Sequence, residues 1–110
     1  MFLEENIVLY ISGMTFKILN ITTGDEKVFH SHNTGGIGCI EVHNNKNFFA
    51  VGEKGENPCI YIYSYPELKI EKILENGTEK GFSCISFSKS GTKLASVGND
   101  PDYSLVIWDW

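Results

Sequence analysis

Short runs of apolar residues, bounded by glycine, asparagine, proline and serine, recur along the whole chain. Runs of this kind predict β-strands, and no stretch of the sequence keeps a helical periodicity over three turns. In three runs the alternation places two large apolar side chains on one face of the strand: Phe16 with Ile18, Ile60 with Ile62, and Leu105 with Ile107. We predict strands near residues 6–11, 15–21, 27–30, 37–42, 47–51, 59–65, 69–74, 82–87, 93–97 and 104–109.

The pattern of strands and turns occurs twice, with an offset of 45 residues. Similar residues stand at this spacing in four places: Gly36 and Gly81, Cys39 and Cys84, Val42 and Phe87, and Ile60 and Leu105. The later copy closes on Trp108 and Asp109. A repeat of this length, made of short strands and closed by a Trp-Asp pair, is typical of the WD40 blades of β-propellers.

We therefore predict an all-β fold, a fragment of a WD40 β-propeller with one complete and two partial blades. Residues 1–30 would form a partial blade, residues 31–75 a WD repeat, and residues 76–110 a WD repeat that lacks its last strand. Each blade buries its apolar faces on its neighbours, so a chain with fewer than three blades leaves two end faces uncovered. We expect the isolated chain to be marginally stable and to self-associate.

The charge of the chain argues against nucleic acids and membranes as partners. The net charge is −5, and all nine basic residues are lysines. Nucleic-acid-binding domains usually carry a basic stripe that includes arginine, and an acidic surface disfavours docking on anionic lipid. The apolar run near the N-terminus is too short for a signal peptide, so we expect a location in the cytoplasm.

Three cysteines, Cys39, Cys59 and Cys84, stand far apart and form no Cys-x-x-Cys pair. This spacing predicts neither a zinc site nor a redox dithiol, and a reducing compartment fits it best. Cys39 and Cys84 occupy the same place in the repeat, inside apolar strands, so we expect both to be buried and reduced. Cys59 follows a proline at a strand edge and should react faster than either.

No motif in the sequence predicts an enzyme, a metal site or a cofactor site. His30 and His32 could share one face of a strand, but a third metal ligand at a suitable spacing is missing. The glycines of Gly35–Gly38 lack the continuation of a dinucleotide fingerprint, and we interpret them as turn residues. A Gly-x-Ser-x-Gly nucleophile motif is absent as well.

The pattern of WD repeats suggests structural roles for His32, Trp108 and Asp109. In WD repeats, a histidine before the first strand bonds to an aspartate that follows the second strand, and this pair supports the tryptophan of the third strand. His32 stands where that histidine belongs. Trp108 and Asp109 end the later repeat, but Asn76-Gly77 replaces the histidine there, so both networks are incomplete.

The predicted hairpin turns agree with this blade structure. Ser88–Thr92 connects two strands and has Gly91 where a left-handed residue is required. The corresponding turn, residues 43–47, contains no glycine. It contains asparagines, which tolerate the left-handed conformation, and we predict that they take the place of the glycine.

Loops on one rim of the propeller are candidates for binding protein partners. Loops carry function when a rigid sheet scaffold positions them, and these loops are charged where the strands are apolar. The candidates are Glu53, Lys54, Glu56, Glu79, Lys80, Asp100, Asp102 and Tyr103. Tyr61, Tyr63 and Tyr65 share one face of their strand, and they form either a binding surface or packing between blades.

Residues 34–110 resemble a particular group of WD-repeat proteins. The loop Gly77-Thr78-Glu79-Lys80-Gly81 and the ending Val106-Ile107-Trp108-Asp109-Trp110 are similar to those of the cilia- and flagella-associated WD-repeat proteins of motile cilia. Propellers of the echinoderm microtubule-associated-protein-like family also end blades on Val/Ile-Trp-Asp-Trp and are the main alternative. The Gly-Thr-Glu-Lys-Gly loop favours the ciliary family.

The resemblance implies a non-enzymatic scaffold of the axoneme, in the cytoskeleton of the cilium or flagellum. Such a protein lies on the doublet microtubules near the inner dynein arms, where it acts with a paralogous WD-repeat partner to tether a dynein motor and support ciliary beating. The alternatives are a microtubule-binding propeller and a general intracellular protein-interaction module. The acidic net charge argues against direct binding to tubulin, whose surface is itself acidic.

Overall fold

The computed structural model describes residues 1–33, 35–99 and 103–110. These residues form β1 (Phe2–Glu4), β2 (Ile7–Ser12), β3 (Thr15–Asn20), β4 (Glu26–His30), β5 (Ile37–Val42), β6 (Phe48–Glu53), β7 (Ile60–Ser64), β8 (Ile70–Leu74), β9 (Phe82–Phe87), β10 (Lys93–Gly98) and β11 (Leu105–Asp109). None of them belongs to a helix that could cross a membrane. The strands agree with the sequence prediction within a few residues, except for β1, which the prediction missed.

The strands form three antiparallel sheets in chain order. Sheet 1 contains β1–β4, sheet 2 contains β5–β8 and sheet 3 contains β9–β11, and each strand pairs with the next one along the chain. This arrangement confirms the prediction of an all-β propeller fragment. Because β1 pairs with β2, residues 1–30 form a four-stranded sheet where a partial blade was expected.

The 45-residue offset of the sequence is also the offset between the strand registers of sheets 2 and 3. Phe49 of β6 lies opposite Tyr63 of β7 in sheet 2. In sheet 3, Leu94 of β10 lies opposite Trp108 of β11. Paired residues share one face of an antiparallel sheet. Each residue of these strands in sheet 2 therefore has a direct counterpart in sheet 3.

An aromatic core holds sheets 1 and 2 together. Phe16 of β3 is 1% exposed, and its ring contacts that of Phe49 edge-on, at a centroid distance of 5.7 Å. The Tyr63 ring stacks on Phe49 at 5.2 Å and is 5% exposed. Aromatic pairs at such distances add about 0.5–1.5 kcal/mol to the gain from burial. Tyr63 therefore packs between blades, and Tyr61 and Tyr65 pack partly against the same core.

A second core fills the space between sheets 2 and 3. Ile60 and Ile62 of sheet 2, with Phe82 and Leu94 of sheet 3, are fully buried, at 0% exposure. Successive residues of a strand point to opposite faces, so Ile62 and Tyr63 cover the two sides of sheet 2. A fully buried large apolar side chain contributes about 1.5–3 kcal/mol. Sheet 2 thus gains apolar burial on both of its faces.

The hairpin turns of sheets 2 and 3 contact each other. The imidazole Nε2 of His43 lies 2.9 Å from the carbonyl oxygen of Gly91. The Nδ1 of His43 accepts the backbone N–H of Asn45 at 3.2 Å, so Nε2 carries the hydrogen and donates it to Gly91. The side-chain amide of Asn44 donates to the carbonyl of Ser88 at 2.9 Å. These bonds join the two sheets at the edge that bears their hairpins.

Lys46 and Gly91 are the left-handed residues of these two turns, with φ of 65° and 80°. Lys46 stands 45 residues before Gly91, and each donates its N–H to the carbonyl three residues earlier, at 2.9 Å. The prediction that an asparagine takes this conformation in the first turn was wrong. The geometry of the turn requires a positive φ at this position. Lys46 therefore adopts the left-handed conformation although this costs a residue with a Cβ about 1–2 kcal/mol.

The cysteines differ from the prediction. All three are free thiols; Cys39 and Cys59 are half-buried and Cys84 is exposed. Cys39 packs against the second core, and burial raises the pKa of its thiol to about 12. Cys84 pairs with Val97 on the face of sheet 3 that points away from sheet 2, so none of the described sheets covers it. The predicted burial of Cys84 was wrong, and its exposure reverses the expected order of reactivity relative to Cys59.

We predict that Gly91→Ala destabilises the chain more than Gly24→Ala. The two glycines have nearly the same φ, 80° and 81°, so alanine incurs the same left-handed strain at both, about 1–2 kcal/mol. An added Cβ at Gly24 meets nothing within 4 Å, whereas at Gly91 it would collide with the His43 ring. Displacing that ring should cost about 1–3 kcal/mol more. Urea unfolding measures both variants, and equal losses would contradict the contact between the turns.

Candidate functional site: the loop rim

The longer links between strands leave the sheets at one edge. In sheets 2 and 3, the second strand ends at this edge and connects there to the third, through the β6–β7 and β10–β11 links. The β4–β5 and β8–β9 links, which join one sheet to the next, return to the first strand from the same side. We call this edge the loop rim. In these two sheets, the short turn between the first and second strands lies on the opposite edge.

Backbone hydrogen bonds connect the links of the loop rim into one layer. Lys54 donates its N–H to the carbonyl of Gly36 at 2.9 Å, and it forms an isolated bridge with Gly81. Further backbone bonds run from Gly55 to Lys80 at 2.8 Å, from Asn57 to Glu79 at 3.0 Å, and from Asn99 to Gly81 at 2.9 Å. Each contributes about 0.5–1.5 kcal/mol. Together they fix the links of neighbouring sheets relative to one another.

Most of the predicted partner-binding residues are exposed on the loop rim: Lys54, Glu56, Glu79, Lys80 and Tyr103. Tyr103 is 66% exposed, and its backbone has a positive φ of 43°. Asp100 and Asp102 lie outside the residues that the structure describes. The described part of the rim therefore presents side chains of both charges on a fixed backbone.

Glu53 is the exception, since only 2% of its surface is exposed. Its Oε2 accepts the backbone N–H of His32 at 2.8 Å, while Oε1 has no hydrogen-bond partner among the described residues. Burial raises the pKa of the Glu53 carboxyl, and the bond from His32 opposes this rise only in part. The prediction that Glu53 binds a partner was wrong, because a carboxyl at this depth anchors the β4–β5 link instead.

His32 does not form the bond to an aspartate that the WD-repeat pattern predicts. Its Nε2 lies 3.2 Å from the hydroxyl of Tyr63, and its ring packs on that of Tyr61 at a centroid distance of 4.2 Å. Glu53, the last residue of β6, stands where the aspartate was expected, and its carboxyl group accepts the backbone N–H of His32 instead of bonding to the ring. A histidine, two tyrosines and a buried glutamate thus connect the β4–β5 link to β7.

Sheet 3 makes the corresponding connection with different residues. The indole Nε1 of Trp108 donates to the Oγ of Ser96 at 2.9 Å, and Ser96 is 1% exposed. Gly77 stands 45 residues after His32, and a Cβ there would lie 2.7 Å from the Trp108 ring. The carbonyl of Gly77 accepts the hydroxyl of Ser104 at 2.7 Å. Gly77 thus leaves room for the ring of Trp108. Ser104, in place of the missing histidine, connects β11 to the β8–β9 link.

Asp109, the second residue of the Trp-Asp pair, lies on the surface. Its carboxylate forms an ion pair with Lys93 of β10, with an N–O distance of 2.5 Å. The Asp109 side chain is 80% exposed, so water and salt screen this pair and it contributes about 1 kcal/mol or less. Trp108 is therefore the residue of the pair that holds the blade together.

A polar cleft of about 410 Å³ opens in the loop rim between sheets 2 and 3, and it is lined by Asn57, Asn76, Gly77, Thr78, Glu79, Ser104 and Val106. The sequence analysis missed Asn57 and Asn76. Both have a positive φ, 49° and 65°. Asn57 precedes Pro58 and Asn76 precedes Gly77, and Asn-Pro and Asn-Gly steps mark turns. These two steps were the sequence signal that could have identified the two residues.

The loop rim presents polar and charged groups. Its amides, hydroxyls and carboxylates can donate and accept hydrogen bonds and can form ion pairs with another protein. Within residues 1–33, 35–99 and 103–110, no three histidine, cysteine, aspartate or glutamate side chains are placed to hold one metal ion.

The sheet order, the 45-residue register and the bond from Trp108 to Ser96 together define a WD40 repeat protein. The WD40 family profile, described as "WD domain, G-beta repeat", matches residues 24–64 and 69–109. The chain belongs to this family. Each matched segment begins with the last strand of one sheet and ends with the third strand of the next, so each sequence repeat bridges two sheets.

The relatives of the chain are cilia- and flagella-associated proteins, as the resemblance predicted. Cilia- and flagella-associated protein 44 of Mus musculus is 43% identical over 108 residues, and that of Chlamydomonas reinhardtii is 40% identical over 114 residues; the matches cover 98% and 97% of this chain. Cilia- and flagella-associated protein 43 of Xenopus laevis is 29% identical over 109 residues, or 99% of this chain. The chain spans only 6–7% of the length of these relatives.

We predict that the wild-type chain loses stability relative to Glu53→Gln as the pH rises. Burial raises the folded-state pKa of Glu53 above its unfolded value of about 4.3. The contribution of the protonated carboxyl to the free energy of unfolding is therefore fully present at a pH below the unfolded-state pKa. This contribution is lost as the pH rises through the folded-state pKa. Glutamine does not ionise, so the difference in unfolding free energy between the two chains should change from about pH 4 upwards.

The matched control for this experiment is Glu56→Gln, three residues further along the chain in the β6–β7 link, because Glu56 is exposed. Urea unfolding at a series of pH values measures the wild-type chain and both variants. The control should follow the wild-type pH dependence, whereas Glu53→Gln should depart from it. If the two variants show the same pH dependence, the Glu53 carboxyl is not buried in the way described.

Proposed function

We propose that this chain is part of a non-enzymatic WD40 scaffold in the axoneme of a cilium or flagellum, and that it binds other proteins through the loop rim. The proposal is supported by the similarity to cilia- and flagella-associated proteins 44 and 43, whose names associate them with these organelles. The ciliary resemblance suggests two partners for the scaffold: a paralogous WD-repeat protein and an inner dynein arm, which it would help to tether.

The observation that carries this proposal is the combination of exposed charge and fixed backbone in the loop rim. Binding through a mobile loop loses free energy because the loop must be ordered first. Here the N–H groups of Lys54, Gly55 and Asn57 are bonded to the neighbouring links. The side chains of Lys54 and Glu56 nevertheless remain exposed. Such a surface can bind a partner with little further ordering.

The signs of the exposed charges bear on the kind of partner. Lys54 and Lys80 are accompanied on the described rim by Glu56 and Glu79. Mixed charges favour a partner whose surface also carries both signs, because each charge contributes to specificity by position. The net charge of −5 disfavours direct contact with the acidic surface of tubulin. Association with the microtubule would therefore be indirect, through another axonemal protein.

We predict that the double substitution Glu79→Lys with Lys80→Glu weakens retention of the protein on the axoneme. It leaves the net charge unchanged but reverses the sign at two exposed positions of the rim. We expect about tenfold weaker binding, which corresponds to about 1.4 kcal/mol. The variant would be expressed in a ciliated or flagellated cell in place of the wild-type protein, and the fraction that stays with isolated axonemes would be measured by immunoblot.

The control is Glu67→Lys with Lys69→Glu, which reverses an acid and a lysine that are exposed in the β7–β8 turn, on the opposite edge. It should be retained like the wild-type protein, and both variants should melt at the wild-type temperature. If all three proteins are retained equally, or if only the control is lost, the loop rim is not the binding surface.

A further inference from the structure

A groove of about 270 Å³ opens between sheets 1 and 2, at the edge opposite the loop rim; we call it the turn-side groove. Apolar side chains of both sheets form its floor: Ile7, Ile18 and Leu68. The β3–β4 hairpin forms one of its walls, with the exposed side chains of Asp25 and Lys27. An apolar floor with a few polar groups beside it is the usual composition of a binding pocket.

The groove exists because the aromatic core between the two sheets stops short of this edge. Phe16 of β3 lies opposite Phe29 of β4, and their rings stack at a centroid distance of 4.9 Å. Two residues away on the same face, Ile18 lies opposite Lys27. An aliphatic and a charged side chain thus replace an aromatic pair. Because Lys27 keeps its amino group in water, it does not fill the space beside Ile18.

The backbone conformation of Leu68 supports a binding role for the groove. Its φ of 62° is left-handed, which is unfavourable for a residue with a Cβ. The N–H of Leu68 donates to the carbonyl of Ser64 at 2.9 Å, and the half-buried side chain packs against the aromatic core. Strain of this kind concentrates at binding and active sites, where the surrounding structure holds it in place. The β7–β8 turn therefore keeps an apolar side chain in the groove at a conformational cost.

Lys27 is the charged group of the groove that is left to bind a ligand. The carboxylate of Asp25 accepts the hydroxyl of Thr23 at 3.2 Å, and the side-chain oxygen of Asn20 accepts the backbone N–H of Thr23 at 3.1 Å. Within the described part of the chain, no group forms a hydrogen bond or an ion pair with the amino group of Lys27. A free amino group beside an apolar floor favours a ligand that has an apolar and an acidic part.

The volume of the groove indicates the kind of ligand. Pockets for small molecules typically enclose about 300–1,000 Å³. The turn-side groove is smaller, at about 270 Å³. A single large side chain of another protein suits this volume better, because it covers the apolar floor while the rest of the segment stays at the surface. Covering the floor removes apolar surface from water and so favours binding.

We propose that the turn-side groove binds a segment of a partner protein, which inserts one aliphatic side chain between sheets 1 and 2 and places a carboxylate beside Lys27. This site lies on the opposite edge from the loop rim, and it does not depend on the binding proposed for that rim. A chain with both sites can hold two partners at once, one on each edge.

Titration of the isotope-labelled 110-residue chain with two capped peptides, followed by amide NMR, tests the proposal. The probes are Gly-Ser-Leu-Glu-Ser-Gly and Gly-Ser-Leu-Lys-Ser-Gly, which differ only in the charge beside the leucine. Saturable shifts should map to Ile18, Lys27 and Leu68. The acidic peptide should bind about two- to fivefold more tightly, the ratio expected for one exposed ion pair. Shifts confined to the loop rim, no saturable shift, or equal or reversed affinities would each overturn the proposal.

The variant Lys27→Glu tests the role of the amino group by exchanging its charge. The lysine peptide should now bind more tightly than the acidic one, again about two- to fivefold. The Lys27 side chain is exposed, so the variant should keep the fold. The matched control is Lys89→Glu, which makes the same charge change at an exposed position in the β9–β10 turn of sheet 3 and should keep the wild-type preference. An unchanged preference in Lys27→Glu, or a reversal in both variants, would overturn the assignment.

The variant Leu68→Asn tests the apolar floor. Asparagine tolerates the left-handed conformation, so the turn is kept while the apolar side chain is lost. Both peptides should bind at least about fivefold more weakly. The matched control is Lys46→Asn, at the left-handed position of the β5–β6 turn, with a φ of 65°. Lys46 does not line the groove, and its replacement should leave the affinities unchanged. Wild-type affinity in Leu68→Asn, or an equal loss in both variants, would overturn the proposal.

Discussion

Face-to-face packing of sheet 2 on both of its neighbours is the interaction on which the rest of this structure depends. A single blade of four short strands has two faces and cannot bury either one alone. In sheet 2, Phe49 and Tyr63 cover one face and Ala50 and Ile62 cover the other. Because these residues alternate along β6 and β7, a slip of one residue in register would exchange the two sets and disrupt both cores at once.

The two edges of the molecule take their geometry from this packing. Stacking places the β6–β7 link of sheet 2 beside the β8–β9 link, near enough for the backbone bond from Gly55 to Lys80. On the opposite edge, stacking brings His43 to the carbonyl of Gly91. The charged side chains of the loop rim are therefore held by sheets, and not by the loops themselves. A surface held in this way can keep its shape without a bound partner.

Local patterns were sufficient to predict the fold class and most strands. The alternation in β7 and β11 and the 45-residue offset are strong signals, because each is set by the backbone geometry of paired strands. The strand β1 was missed because its three residues are too few to show an alternation. The left-handed Lys46 was missed because residue preference favoured asparagine, whereas the register of the turn decided the position.

The burial of single side chains could not be predicted in the same way, because it depends on contacts between sheets. Nothing in the local sequence separates Glu53 from Glu56, yet Glu53 is buried near His32 and Glu56 is exposed. Cys39 and Cys84 stand at equivalent positions, and only the presence of a following sheet distinguishes them. The candidate residues could therefore be placed on one rim from the sequence, but they could not be separated into exposed and anchoring residues.

Amide hydrogen exchange, measured residue by residue at a concentration where the chain is monomeric, tests the stacking of the sheets most directly. If sheet 2 is covered on both faces, the amides of Ala50 and Ile62 should exchange more slowly than those of their counterparts Ala95 and Ile107 in sheet 3, which is covered on one face. Equal protection of the two sheets, or slower exchange in sheet 3, would contradict the central position of sheet 2.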